Sequence, residues 1–271
     1  MLSGDMKRRR PGFTIKRLFA AIGILILLLV VTAAALVGSA FIGRQPLTDG
    51  AEINGIRIVK DGIVGIGVVP IGEKEVALID AGNDPSGKAI LAELSRRNLG
   101  PDAVTAILLT HGHPDHTASI HLFGKAQVMA LQAEVPLVEG KARAGAPFTR
   151  LMPVKPTGVK VTRTLFDGDT VMLGQVAVRV YAVPGHTQGS AAYLVDGVLF
   201  VGDAADMYTS GEMEISAWIF TDDQAQDRVS LLRLDRRLSE EGAQVKALEF
   251  AHEGVVAKGL APLDDFVRRN Q

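Results

Sequence analysis

One short segment concentrates four side chains that bind metals, and it constrains the fold more than any other part of the chain. Residues 110–116 read Thr-His-Gly-His-Pro-Asp-His and directly follow Ala103–Thr110, an apolar run that is typical of a buried strand. Because residues two apart on an extended chain share a face, His111 and His113 can point at one metal ion. The segment therefore predicts a metal site at the end of a strand.

The second half of this segment turns away from the strand. Pro114 cannot continue the strand and is favourable at the first position of a helix. Asp115 and His116 then lie at the turn into that helix, where they can point at a neighbouring position. A lone histidine is more often a surface or core residue, but that reading does not explain three histidines and an aspartate at fixed offsets. Imidazole and carboxylate groups suit zinc and other first-row metals.

Strand and helix patterns alternate along the rest of the chain. The predicted strands are 56–59, 63–69, 76–80, 103–110, 127–131, 161–166, 170–173, 176–183, 191–195, 198–201 and 245–250. The predicted helices are 85–98, 115–123, 223–241 and 261–269. Two similar halves, each made of strands and helices, indicate an α/β (α+β) domain over residues 53–271. We expect two central sheets with helices on both outer sides, a four-layer αββα sandwich.

The N-terminal region contains an uncharged and mostly apolar run, Leu18–Gly43. Its 26 residues exceed the roughly 20 that span a bilayer and the roughly 7–15 of a signal-peptide core. Residues 1–17 carry a net charge of +5, and basic residues flanking a span stay in the cytoplasm. The sequence therefore predicts a basic cytoplasmic tail at 1–17 and a single transmembrane anchor at 18–43 in the lipid bilayer. The rest of the chain would lie outside the cytoplasm, in the periplasm of a Gram-negative bacterium.

The fate of this apolar run stays open at the level of sequence. Gly38-Ser39-Ala40 resembles the small-residue site of a signal peptidase, so the run can also be a signal that is removed. Residues 44–52 are polar and are predicted to form a linker to the domain.

Composition excludes some kinds of site and partner. Cysteine is absent, which excludes disulfides and cysteine-bound zinc. Residues 45–271 carry a net charge of −7, which disfavours nucleic acid as a partner.

The segment His111–His116 resembles the His-x-His-x-Asp-His signature of the metallo-β-lactamase superfamily. Pro184–Ser190, Val201–Ala204 and Ala251–Gly254 are similar to the family's later motifs. Together with His111–His116, these segments contain five of the six histidines. The resemblance extends over roughly Ile53 to Gly254 and implies the αββα fold of that family.

The resemblance also implies a set of metal ligands. One ion would be bound by His111, His113 and His186, the other by Asp115, His116 and His252, and Asp203 would bridge the two. The implied cofactors are two zinc ions, with iron or manganese as alternatives. Asp80 would hydrogen-bond to a ligand without binding the metal itself, whereas His121 is expected to be structural.

A ligand set of this kind implies a metal-dependent hydrolase that uses a bridging hydroxide to cleave an ester, thioester, lactone or related bond. Asp115 would also orient the water or pass its proton to the leaving group. An alternative is an oxidoreductase resembling the persulfide dioxygenases, with one iron bound by His111, His186 and Asp203. A non-catalytic sensor domain would be expected to lack some of these ligands.

Several differences between this chain and known groups of the superfamily limit the reactions that the resemblance implies. The β-lactamases of this fold generally lack the bridging aspartate, so Asp203 makes that activity a less favoured alternative. The chain ends 19 residues after His252, so we expect the glutathione-binding helical domain of glyoxalase II-like enzymes to be missing or replaced. Homoserine lactonases usually place a tyrosine where this chain has Asp206, and the basic arm of the tRNA-processing nucleases is not expected here.

The stretch Asp206–Asp223 is expected to border the metal site and to line a substrate pocket. The residues predicted to contact substrate are Met207, Tyr208, Trp218 and Phe220. Residues 135–158 are a second candidate wall. Their apolar character favours a small apolar or amphipathic substrate.

Overall fold

The computed structural model describes residues 15–151 and 153–271. It contains two compact units, one that ends at Ile42 and one that comprises Gly43–Gln271. Most of the predicted basic tail at 1–17 lies outside the described residues.

The first unit contains one long helix, α1, at Ile15–Ser39. Its 25 residues include a window with a mean hydropathy of 2.9, and none of its residues is buried. At 1.5 Å per residue the helix is about 38 Å long, which is enough to cross a bilayer. An N-terminal helix of this kind suits a membrane span or a signal sequence.

The second unit is built on two sheets and one small hairpin. Its strands are β1 Glu52–Ile53, β2 Ile56–Asp61, β3 Val64–Pro70, β4 Val76–Ile79, β5 Val104–Leu108, β6 Gln127–Leu131, β7 Arg163–Leu165, β8 Thr170–Leu173, β9 Val176–Ala182, β10 Ala191–Val195, β11 Val198–Gly202, β12 Ala205–Met207, β13 Met213–Ile215, β14 Ala247–Phe250 and β15 Gly254–Val256. The first sheet has the order β1-β2-β3-β4-β5-β6-β7, and the second has the order β15-β14-β11-β10-β9-β8. In the first sheet β4 to β7 run parallel, and in the second β11 runs parallel to β14.

Five further helices belong to this unit. They are α2 Lys88–Arg96, α3 Pro114–Thr117, α4 Val135–Val138, α5 Gln224–Glu240 and α6 Ala261–Asn270. Helix α2 buries Ile90 and Leu94 against the first sheet. Helices α5 and α6 bury their apolar faces against the second sheet, for example at Leu234 and Phe266.

The two sheets pack face to face around a shared core. Residues of the first sheet such as Ile79 and Leu108 lie in one cluster with Tyr193 and Phe200 of the second. The fit is close enough that a Cβ atom added at Gly67 would lie 2.5 Å from the Phe200 ring. With helices on both outer faces, the architecture confirms the predicted four-layer αββα sandwich.

The predicted helix 115–123 is shorter in the structure, for a reason that lies in neighbouring backbone. Helix α3 ends at Thr117, and a separate 3₁₀ turn follows at Ile120–Leu122. The Ala81 amide donates to the His116 carbonyl (2.7 Å), which is therefore not available to extend the helix. The amides of Ala118 and Ser119 likewise donate to the loop after β4.

Two stretches without predicted elements are ordered against the domain. Residues 44–52, predicted as a linker, place Leu47 in the protein interior, and the Gln45 amide donates to the Met207 carbonyl (2.8 Å). The stretch after Asp203 forms the hairpin β12–β13, whose three-residue strands are too short to give a periodic pattern.

Candidate metal centre

The seven predicted ligands come together where several strands end. His111, His113, Asp115 and His116 follow β5 in the first sheet, while His186, Asp203 and His252 follow β9, β11 and β14 in the second. The carboxyl ends of neighbouring strands carry loops that meet at one edge, and ligands from both sheets converge there.

Three histidines form the first ligand group. The Nε2 atoms of His111 and His186 lie 2.9 Å and 3.0 Å from Nδ1 of His113. All three side chains are buried, with 1% to 7% of their surface exposed. Their nitrogen atoms therefore surround one point inside the protein.

Asp115, His116 and His252 form the second ligand group. Oδ2 of Asp115 lies 3.8 Å from Nε2 of His116 and 3.7 Å from Nε2 of His252. This group is more open, because the Asp115 side chain is 24% exposed and that of His252 is 15% exposed.

Asp203 lies between the two groups. Its Oδ2 atom is 3.0 Å from Nε2 of His252 and 3.6 Å from Nε2 of His186. Its Oδ1 atom is 3.3 Å from Nε2 of His116. One carboxylate thus reaches ligand atoms of both groups.

The donor atoms fit metal ions. Ligands in a tetrahedral zinc site at about 2.0–2.1 Å from the ion lie about 3.3 Å from one another, close to the spacings found here. Nε2 of His116 and Oδ1 of Asp203 are buried 3.3 Å apart, but they are not aligned for a hydrogen bond with each other or with any other described residue. Buried polar atoms are normally paired, so these two potential metal-ligand atoms favour a cation as their missing partner.

The protonation preferences of the histidines differ between the groups. Burial lowers the pKa of His113 to about 4, and it also lowers the pKa values of His111 and His186. For His252 burial acts in the same direction, but the Asp203 carboxylate outweighs it and raises the pKa to about 9. The first group is therefore neutral and ready to bind a cation, whereas the second must first lose protons.

Neighbouring groups fix the orientation of the ligand rings. Oδ2 of Asp80 lies 2.8 Å from Nδ1 of His116, and both Asp80 oxygens accept hydrogen bonds from Thr110. Nδ1 of His186 lies 3.2 Å from Oγ of Ser216, and Nδ1 of His252 lies 2.8 Å from the Ile63 carbonyl. These contacts direct the Nε2 atoms of all three histidines toward the cluster.

Glu134 supports the first group and was not identified from sequence. Its carboxylate accepts hydrogen bonds from the Gly112 amide (2.7 Å), the Gly189 amide (2.9 Å) and the Thr187 hydroxyl (3.0 Å). It thereby ties the loop that carries His111 to the loop that carries His186. Burial raises its pKa to about 7.

Arg44 supports the second group from a segment that was predicted to be a linker. Its buried guanidinium contacts Oδ2 of Asp206 at 2.5 Å and Oε1 of Glu253 at 3.3 Å. Asp206 lies three residues after the bridging position, and Glu253 directly follows His252. Burial raises the pKa of Asp206 to about 7 and that of Glu253 to about 8, while the Arg44 charge acts in the opposite direction.

The residues predicted to line a pocket occupy different environments. Met207 is 2% exposed and packs in the core with α5 and α6, so its burial does not fit the predicted contact with substrate. Tyr208 pairs with the backbone of Arg44, Trp218 is 50% exposed, and the Phe220 ring contacts the Phe148 ring.

A small cavity lies directly beside the first ligand group. It measures about 110 Å³ and is lined by His113, Pro114, Leu137, Val154 and Lys155, among others. The cavity borders the second predicted wall, residues 135–158. His121, which was not expected to be a ligand, is exposed and lies outside both ligand groups.

The family model described as the metallo-beta-lactamase superfamily matches residues 63–240. A hydroxyacylglutathione hydrolase of Vibrio cholerae serotype O1 is 30% identical over 131 residues, which are 48% of this chain and 42% of the relative. The metallo-beta-lactamase domain-containing protein 1 of Xenopus laevis is 27% identical over 143 residues, 50% of this chain and 52% of the relative. The chain therefore spans about half the length of these curated relatives.

Solved structures show the same fold. A metallo-beta-lactamase family protein from Thermus thermophilus is 25% identical, with a TM-score of 0.58 over 82% of this chain and 81% of the other. The metallo-beta-lactamase MIM-1 from Novosphingobium pentaromativorans is 24% identical, with a TM-score of 0.59 over 84% of this chain and 89% of the other.

Proposed function

Because this chain belongs to the metallo-β-lactamase superfamily, we propose that it is a hydrolase that binds two zinc ions. Its substrate is a small molecule with an ester, thioester, lactone or related bond. The observation that carries the proposal is the position of Asp203, whose carboxylate reaches His186 of the first group and His116 and His252 of the second. A shared carboxylate between two complete donor sets suits two cations better than one.

The two ligand groups and Asp203 would hold two cations, whose Lewis acidity would acidify a water molecule and polarise the carbonyl oxygen of the substrate. The contribution of the protein is to hold the donors in place before the substrate arrives. The buried first group and its support by Glu134 favour such a preorganised site.

Asp115 is the candidate for moving the proton. Its side chain is 24% exposed, compared with 9% for Asp203, so it can exchange a proton with water or with a leaving group. Hydrolysis joins the water oxygen to the acyl carbon and breaks the acyl–oxygen or acyl–sulfur bond. Asp115 would accept the water proton and deliver it to the departing oxygen or sulfur.

The relatives give some guidance on the substrate. Those named hydroxyacylglutathione hydrolases favour an acyl conjugate over a phosphodiester. The size of the cavity beside His113 supports a small acyl group as the part that enters the protein.

A metal count and a substrate panel test this proposal on the full-length chain in detergent. We expect two zinc ions per chain and hydrolysis of at least one thioester, ester or lactone. His113→Ala should lose metal and activity, whereas the matched control His121→Ala changes an exposed histidine outside the cluster and should lose neither. One iron per chain with consumption of a persulfide, or hydrolysis that survives complete chelation, would contradict the proposal.

We further propose that α1 anchors the protein as a single-pass span, with the cytoplasm on its N-terminal side. The support is its length, its hydropathy and the basic residues that precede it. Carbonate-washed membranes should retain the intact chain. Protease added outside the cytoplasm should digest the second compact unit, Gly43–Gln271, which is called the enzyme domain below. A shorter, freely soluble mature chain would indicate a cleaved signal instead.

A further inference from the structure

One segment of the enzyme domain has a charge opposite to that of its surroundings. Residues 140–166 contain six lysines and arginines and no aspartate or glutamate. The rest of residues 45–271 contains sixteen lysines and arginines against twenty-nine acidic residues. Its six cations are spread over 27 residues and form no continuous basic run. The described residues 140–151 and 153–166 are called the basic loop below.

The basic loop is fixed beside the metal centre. Oδ1 of Asp222 accepts hydrogen bonds from the amides of Gly145 (2.6 Å) and Ala146 (2.7 Å). The Asp222 amide in turn donates to the carbonyl of His186 (3.1 Å). At the other end, the Thr157 hydroxyl donates to the Val138 carbonyl (2.7 Å). The loop therefore presents a defined surface.

Apolar side chains are exposed among these cations. Leu151 is 79% exposed, Val154 is 43% exposed and Phe148 is 38% exposed. Trp218, 50% exposed, belongs to the same surface, because the Phe148 amide donates to the carbonyl of its neighbour Ile219 (2.9 Å). Exposed aliphatic and aromatic side chains interleaved with lysine and arginine are typical of surfaces that lie at a membrane interface.

Most cations of the basic loop have no acidic partner within the described part of the chain. Lys141 pairs with Glu139, but no carboxylate lies within ion-pair distance of Arg150, Lys155 or Lys160. Elsewhere in the domain, cations such as Lys125 and Arg237 are paired with aspartates. The charge of the loop is therefore available to an anionic partner.

We propose that the basic loop, together with Trp218, binds the surface of an anionic phospholipid bilayer. The cations contact the lipid phosphates, while Leu151 and Trp218 enter the boundary between headgroups and acyl chains. Nucleic acid also attracts cations, but it offers no apolar layer for Leu151 and Val154.

The chain itself keeps the domain close to a membrane when α1 is inserted. Only three residues separate Ser39, the last residue of α1, from Gly43, the first residue of the enzyme domain. An extended chain of that length reaches at most about 14 Å. A tether this short raises the local concentration of lipid headgroups around the domain that carries the basic loop.

This contact has a consequence for catalysis, which rests on the proposed function. Val154 and Lys155 of the basic loop also line the cavity beside His113. With the loop on the bilayer, the cavity opens near the lipid surface, so the substrate class would be amphipathic acyl compounds that partition into membranes.

Trp218 is the only tryptophan of the chain and reports on the contact directly. The full-length protein is reconstituted in nanodiscs of phosphatidylcholine alone or mixed with phosphatidylglycerol, each with and without brominated acyl chains. We expect bromine to quench Trp218 fluorescence at least about twofold more in the anionic discs, and added salt to reduce the difference. Equal quenching in both lipids would overturn the proposal, and this readout needs no enzyme substrate.

Three variants test which side chains are responsible. Arg150→Glu/Lys155→Glu/Lys160→Glu should lower quenching to the phosphatidylcholine level. Its matched control, Lys88→Glu/Lys246→Glu/Lys258→Glu, changes the same charge at positions outside the loop and should leave quenching unchanged. Leu151→Ser changes no charge and should also reduce quenching. Equal loss in the control would overturn the proposal, as would oligonucleotide binding by the basic loop without a preference for anionic discs.

Discussion

The two ligand groups of the metal centre differ in enclosure and in charge. The first consists of three buried histidines whose pKa values are lowered by burial. The second is partly open to solvent, and the neighbouring carboxylates hold protons on its histidines. The first group is therefore close to its metal-binding state before any ion arrives, whereas the second gains its final state only when protons leave. We expect the first site to fill before the second, with higher affinity.

The largest expected effect comes from the residue that belongs to both groups. Asp203→Asn keeps the size of the side chain but removes the charge that the two groups share. We expect kcat/KM to fall on the order of 10³-fold, because the variant would bind less metal and would stabilise the transition state less well. Kinetics and metal analysis by mass spectrometry test this. Loss of one ion only, with the other site intact, would show that the groups are more independent than their geometry indicates.

Arg44→Met should have the next largest effect, on stability. Removing one partner from a buried ion pair costs about 3–5 kcal/mol, but Asp206 and Glu253 can take up protons, so we expect about 2–3 kcal/mol. Denaturant unfolding measures the free energy, and Arg44→Lys, which retains the charge, is the control. We also expect weaker binding of the second ion only, since both carboxylates adjoin that group. A uniform loss of both ions would contradict this asymmetry.

The supporting hydrogen bonds offer a finer comparison. Asp80→Asn weakens the support of His116, and Ser216→Ala removes that of His186. Replacing a residue that hydrogen-bonds to a metal ligand typically lowers metal affinity about 10–100-fold. Because Asp80 is charged, its replacement should have an effect at the upper end of this range. Competition with a calibrated chelator measures each site. If Ser216→Ala weakened the second site more than the first, the assignment of these supports would be wrong.

The smallest effect is a difference in pH dependence. The raised pKa of His252, about 9, means that a proton must leave before the second ion binds. Lowering the pH from 8 to 7 or from 7 to 6 should then weaken binding of that ion at least about tenfold per unit, and more if His116 also releases a proton. The first site contains His113 with a pKa of about 4 and should change little over this range. Zinc titrations at several pH values check this, and equal slopes at both sites would refute the difference.

Four ligands, His111 to His116, could be predicted from the residues themselves, because three histidines and an aspartate at fixed offsets follow an apolar strand. His186, Asp203 and His252 were implied by the resemblance of their segments to the family's later motifs, and the structure brings them to the same edge as the residues that follow β5. Glu134 and Arg44 could not be identified in this way. Each is a single charged residue in an ordinary stretch, and only the tertiary fold brings it within hydrogen-bond distance of loops many residues away.

Elements that depend on tertiary contacts were also the ones that differed from expectation. Helix α3 stops early because the backbone at Ala81 and Gly82 takes part in hydrogen bonds that a longer helix would need. Met207 was expected to face substrate because it follows Asp203 closely, but the pleat of β12 turns it into the core.

The ligands come from both sheets, and this arrangement affects the unfolded chain as well as the active site. His113 and His186, whose ring nitrogens lie 3.0 Å apart, are separated by 73 positions in the sequence. An ion bound by both closes a long loop, much as a disulfide would, in a chain that has no cysteine. An ion that binds only the folded form would stabilise the domain by about 2.7 kcal/mol when free metal is at 100 times the dissociation constant. The durability of the protein would then follow the supply of metal in its surroundings.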